Sequence, residues 1–224
     1  MTINSVKITR RSALLGAGTF LLAGCGNSRN PNLSAAVDLA RNFFADRAFT
    51  DADVERVPFA TIGVQLGTAP EAMVVLATVD GNDLTWIAAD RSLIVTRHGR
   101  IIRFMSGDID VVTAPGSTDP VADGAVAAGG CLRLLDFPKA QLFSVPAQST
   151  LAATGQARVT LLHGEITTRS FTETGISHPL AWEFENHFYL DSETKRVWQS
   201  NQNVTPQLPP IKIRVLRPYS GDIA

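Results

Sequence analysis

From Phe59 onward, apolar residues recur at every second position between short turn signals, and this alternation confines the chain to antiparallel β structure. Phe59 to Leu66, Ala72 to Val79, Leu84 to Ala88, Leu93 to Arg97 and Arg100 to Met105 read as five strands of one meander. Gly67–Pro70, Asp80–Asp83, Ala89–Arg91 and His98–Gly99 are the turns between them, the last a two-residue hairpin connection that needs positive φ. Ala72 to Val79 is apolar on both faces, as a strand covered on both sides would be.

The pattern resumes beyond a gap. Leu132 to Phe137 reads as a strand, and Ala157–Leu162 with Glu165–Thr172 reads as a second hairpin about His163–Gly164. Ala181 to Leu190 alternates cleanly, with Trp182, Phe184, Phe188 and Leu190 on one face and Asn186 among them. Arg196 to Gln202 returns, Pro206, Pro209 and Pro210 make an extended link, and Ile211, Ile213 and Val215 form a last strand. Between the two halves, residues 113–130 are rich in Ala, Gly, Pro, Ser and Thr and read as a flexible loop. The expected fold is mainly β: an antiparallel β-sandwich or pseudo-barrel with one N-terminal amphipathic helix. That helix is expected from Leu33 to Phe44, where Leu33, Ala36, Val37, Ala40, Phe43 and Phe44 recur at helical spacing behind Asn32 as N-cap. Thr50 and Asp53 mark a second short turn ended by Pro58.

Upstream, Arg10 and Arg11 precede an uncharged run from Ala13 to Ala23, which ends in Leu22-Ala23-Gly24-Cys25. A basic start, a short apolar core and small residues at a cleavage point make a secretory signal. A cysteine directly after Ala-Gly is the pattern of a bacterial lipobox, in which the thiol is acylated and Cys25 becomes the first residue. The apolar run is 11 residues long, too short for the roughly 20 a membrane span needs. More than one acyl chain, at about 0.8 kcal/mol per buried CH₂, gives a stable anchor. The paired arginines suit either Sec or twin-arginine export. The chain thus divides into a signal (1–24), a lipidated cysteine and tether (25–32) and a single β-rich domain (33–224). Gly26 is not the aspartate that retains lipoproteins at the inner membrane, so the expected location is the periplasmic face of the outer membrane, with the bilayer as partner through Cys25.

Loss of residues 1–24 removes Lys7, Arg10 and Arg11 and leaves 17 basic against 21 acidic residues, which excludes nucleic-acid binding by bulk charge. With Cys25 acylated, Cys131 has no disulfide partner and reads as a small buried apolar residue.

Several motifs follow one another in order: Pro58-Phe-Ala-Thr-Ile-Gly-Val-Gln-Leu66, Met73-Val-Val-Leu-Ala77, Leu84-Thr-Trp-Ile-Ala-Ala-Asp90, His98-Gly-Arg-Ile-Ile-Arg103, Trp182-Glu-Phe-Glu-Asn-His-Phe-Tyr-Leu-Asp191, Thr194-Lys-Arg-Val-Trp-Gln-Ser-Asn-Gln202 and Ile211-Lys-Ile-Arg-Val-Leu-Arg-Pro218. Together they resemble the YjbF/GfcB lipoproteins. The likeness spans most of residues 33–218. It implies a β-rich periplasmic domain on an outer-membrane anchor, with a role in exopolysaccharide or group 4 capsule assembly or secretion. Two departures stand out: the Ala/Gly-rich segment at 114–130, and Lys195 in the Asp191–Arg196 turn, where glycine is more usual.

Catalytic and metal signatures are missing from the sequence. It has no Gly-x-Ser-x-Gly, and His98, His163, His178 and His187 stand singly without metal-ligand spacing. Neither catalytic nor metal residues are assigned, and no cofactor is expected. Glu183 and Glu185 share one strand face about 6.6 Å apart. That lies within the spacing of glycosidase carboxylate pairs, about 5–9.5 Å, but glycosidase acids face each other across a cleft. Exposed aromatics beside polar groups suit sugar stacking, and Tyr189, Trp198, Arg196 and Gln202 are the candidate glycan contacts. The expected function is a non-enzymatic accessory lipoprotein that binds polysaccharide or a secretion partner. The alternatives are a polysaccharide-modifying enzyme using Glu183, Glu185 or His187, and a structural envelope lipoprotein.

Overall fold

The computed structural model describes residues 49–221. The expected helix at 33–44, the tether and the lipobox lie outside the described residues. The sandwich alternative is not what forms: twelve antiparallel strands make a closed barrel. They are β1 (Thr61–Leu66), β2 (Ala72–Asp80), β3 (Asp83–Ile87), β4 (Leu93–Arg97), β5 (Arg100–Ser106), β6 (Ile109–Thr113), β7 (Gly129–Phe137), β8 (Leu142–Leu161), β9 (Gly164–Ser177), β10 (Trp182–Leu190), β11 (Val197–Gln202) and β12 (Ile211–Arg217). Each strand pairs with its neighbours in sequence, and β12 closes on β1 with Ile62 opposite Val215 and Leu66 opposite Ile211. The five-strand meander stands as expected, including the two-residue connection in which His98 and Gly99 both take positive φ (48° and 86°).

Ala72–Asp80 is apolar on both faces for a specific reason. Val74 faces the interior, whereas Met73, Val75 and Ala77 face outward beneath a one-and-a-half-turn helix, α1 (Asp51–Arg56). Val54 and Val57 seal that outer patch, while Asp53 accepts from the Thr50 backbone N–H at 2.8 Å and pairs with Arg56 at 2.7 Å. The second turn expected from Thr50 and Asp53 is this helix.

Three expectations are corrected. β6 and residues 142–156 of β8 belong to strands that the pattern did not disclose. The second hairpin turns one residue early: Leu161 pairs with Gly164, so Leu162 and His163 form the connection and Gly164 carries the positive φ. Residues 114–128 are not a loose loop. Thr118 bridges to Leu132, Asp119 and Val121 are buried, and Val121 packs with Leu151, Phe171, Phe188, Leu190 and Val197.

That segment answers a problem of width. An eight-stranded barrel is about filled by its own side chains; twelve strands enclose more space. Trp86, Phe104, Trp182 and Phe184 fill part of it. Two arginines fill more: Arg100 lies 4.6 Å over the Phe188 ring and Arg133 lies 5.0 Å over Phe184, both guanidinium groups almost wholly buried. Arg100 bonds Glu173 at 2.8 Å and pairs with Asp119 at 2.6 Å. Glu173 also accepts from Asn186 at 2.7 Å and from Ser149. Burial alone would raise the Glu173 carboxyl, but Arg100 and Arg133, with the Asn186 and Ser149 donors, hold it below the usual carboxylate range. Cys131 beside them is buried as expected, and burial pushes its thiol up to about 12.

A candidate ligand pocket at the barrel mouth

Every second connection lies at the same end of an up-and-down barrel. The turns at 81–82, 98–99 and 191–196, the segment 114–128 and the exit of β12 therefore gather at one mouth. Between them opens a cavity of about 380 Å³. Its floor and inner wall are Ile62, Leu84, Trp86 and Ile213, and its rim is His98, Lys195, Arg196 and Tyr219. Trp86 is fixed by its indole N–H, which donates to the Thr96 hydroxyl at 2.8 Å.

The rim turn is rigidly made. One oxygen of Asp191 accepts from the backbone N–H groups of Glu193 (2.9 Å) and Thr194 (2.7 Å) and from the Thr194 hydroxyl (3.0 Å). The Thr194 N–H leads in holding that carboxyl below its usual range. Lys195 takes φ 58°, the left-handed conformation that makes glycine usual there. The turn presents Arg196, whose guanidinium lies 5.4 Å over the Trp198 ring and donates to the Tyr219 carbonyl at 3.3 Å. The Trp198 indole N–H is buried without an acceptor among the described residues.

Of the four candidate contacts, the structure brings two together, Trp198 and Arg196. Tyr189 is half-buried on the face of β10 opposite Phe188 and Leu190, away from the interior. Gln202 is corrected: it is 1% exposed and spent on the fold. Its carbonyl oxygen accepts from the Ile101 N–H at 3.0 Å, and its amide donates to the Gly99 carbonyl and the Ser200 hydroxyl at 2.8 and 2.9 Å. It is a strut across the interior that holds the His98–Gly99 turn at the rim. Sequence reasoning missed Trp86, His98 and Tyr219. Trp86 carried a signal, since it alternates with Leu84 on one strand face, but nothing local places that face opposite Trp198.

Glu183 and Glu185 lie exposed on the convex outer face of β10. Glu185 meets His187 at 3.1 Å, and His187 bonds the Thr172 hydroxyl at 3.3 Å. The two acids do not face each other across a cleft.

With this geometry in place, comparison with known proteins is decisive for the family. A family model described as group 4 capsule polysaccharide lipoprotein GfcB, YjbF matches residues 35–216. The chain belongs to this family. Among its relatives in Escherichia coli K12, the uncharacterized lipoprotein GfcB is 24% identical over 216 residues, 93% of this chain and 99% of that one. The uncharacterized lipoprotein YjbF is 25% identical over 172 residues, 75% of this chain and 80% of its own. The crystal structure of the hypothetical lipoprotein YmcC from E. coli K12 matches with a TM-score of 0.68 at 19% identity, covering 84% of this chain and 96% of that chain. The YjbF-family barrel is therefore a fold with a crystallographic counterpart.

Proposed function

We propose that this YjbF-family lipoprotein is a non-enzymatic accessory in assembly or secretion of surface polysaccharide, holding glycan at the barrel mouth. Acylated Cys25 anchors it to the periplasmic leaflet of the outer membrane. The observation that carries the reading is the mouth pocket, whose lining holds Trp198, with Arg196 over its ring, and Trp86. Small-molecule sites are concave and combine apolar walls with convergent polar groups, and aromatic walls suit the apolar faces of sugar rings. The family description supports the polysaccharide context. The convex placement of Glu183 and Glu185 in water favours the accessory role over a hydrolase.

The test is a deletion strain complemented with wild type, Cys25→Ala or Trp198→Ala, scored for exported polysaccharide. Retention of that polysaccharide on immobilised full-length protein is measured alongside. The accessory reading expects reduced export with either variant and lost retention with Trp198→Ala. Normal export in the deletion strain would point to a structural envelope role. Cleaved or modified polysaccharide, dependent on Glu183 or Glu185, would point to the enzyme.

A further inference from the structure

We infer that the mouth pocket takes the end of a glycan chain, one sugar unit bearing a carboxylate, with that carboxylate on Arg196. The inference rests on the glycan-binding reading above and narrows it in two respects, charge and mode of entry.

The charge follows from the lining. No Asp or Glu is among the described residues that wall the cavity, while Lys195, Arg196 and His98 stand at its rim. Arg196 is the best placed of these. The one side-chain hydrogen bond of Arg196 is to the neutral Tyr219 carbonyl; Asp191 of the same turn feels its charge but makes no ion pair with it, its carboxylate being taken up by the Glu193 and Thr194 donors. Arg97, Arg100, Arg103 and Arg214, by contrast, each have a carboxylate within 3.1 Å, and of the arginines without one Arg196 alone lines this cavity. Guanidinium groups favour planar, two-pronged anions, and charge-assisted bonds of this kind are about twice as strong as neutral ones. Lys195 is less free, since its ammonium donates to the Ser192 carbonyl at 2.7 Å.

The mode of entry follows from shape. A polymer bound along its length needs a groove open at both ends. This cavity is closed below by Ile62, Trp86 and Ile213, which belong to the packed interior. At about 380 Å³ it lies at the small end of the roughly 300–1,000 Å³ range of small-molecule sites. It suits a ring or two entering end-on, with the rest of the chain leaving past the Asp191–Arg196 turn.

The experiment uses the full-length acylated protein in detergent micelles, followed by calorimetry and by tryptophan emission, to which Trp86 and Trp198 report directly. The probes are glucuronate, galacturonate, glucose 6-phosphate, glucose and polygalacturonate fractions of defined length. The expected result is binding of a uronate, at least about tenfold tighter than glucose, weakening as salt is raised and lost by a similar factor in Arg196→Gln. Arg196→Lys is expected to recover part of it. With the polymers, stoichiometry is expected to follow the number of chain ends. Glucose binding as well as the uronates, or a salt-independent affinity, overturns the carboxylate assignment. Binding of glucose 6-phosphate alone replaces the carboxylate with a phosphate and also overturns it. Stoichiometry that follows total sugar units overturns end-on entry. If no probe binds yet the immobilised protein retains the native polysaccharide, this inference fails while the accessory reading stands; loss of both removes both.

Discussion

Glu173→Gln tests the claim that the barrel interior depends on a balanced set of buried charges. Glu173 is fully buried and holds Arg100 at 2.8 Å and Asn186 at 2.7 Å. The substitution keeps the side-chain shape but leaves Arg100 and Arg133 facing Asp119 alone, and turns an acceptor toward Arg100 into a donor. Removing one member of a buried pair typically costs about 3–5 kcal/mol, because the remaining charge is stranded. For a domain of this size that is a fall in Tm of roughly 6–20 °C. Urea unfolding followed by far-UV circular dichroism gives the free energy, with an unchanged m-value confirming that the folded state is intact. The pH dependence has a definite sign. The folded-state pKa of Glu173 is depressed, so its contribution is fully present above the unfolded value of about 4.3 and is lost as pH falls toward the folded value. The gap between wild type and Glu173→Gln should be widest near neutrality and narrow in acid. A loss below about 1 kcal/mol at pH 7, or a gap that widens in acid, would refute the claim.

Gly99→Ala places a Cβ 2.4 Å from that of Val197 at φ 86°, so it should destabilise by about 2 kcal/mol or more, read as a shift in urea midpoint. Gln202→Leu leaves the Ile101 N–H and the Gly99 carbonyl without their partner and should cost about 2–3 kcal/mol. Tyr189→Ala, on the outer face, should leave glycan retention unchanged under conditions where Trp198→Ala abolishes it. Cys25→Ala should abolish palmitate labelling and move the protein from the membrane fraction to the soluble one.

Local pattern carried a good part of the fold. The inward face of β10, Trp182 to Leu190, is read from alternation because a strand's side chains alternate whatever its neighbours are. The His98–Gly99 turn is read from residue types that tolerate positive φ. The segment 114–128 failed for a physical reason: small and turn-forming residues look alike whether they sit in water or plug a barrel. The work of Asp119 depends on Arg100, 19 residues earlier, and on a strand face it does not share. Gln202 failed in the same way, since a glutamine between polar neighbours reads as surface until β5, 101 residues away, is set against it.

The chain's own order of residues determined the antiparallel strands, most of their limits and which side chains share a face. Tertiary structure alone decided that β12 closes on β1, that Arg100, Arg133 and Glu173 lie inside, and that Trp86, Trp198 and Arg196 converge on one cavity. The division has one cause. Alternation and turn chemistry act over a few residues, whereas closure, charge pairing and a pocket are made by contacts between residues far apart in sequence, 19 and 73 positions for Arg100 with Asp119 and Glu173 and more than a hundred for β1 with β12, and no local pattern encodes those.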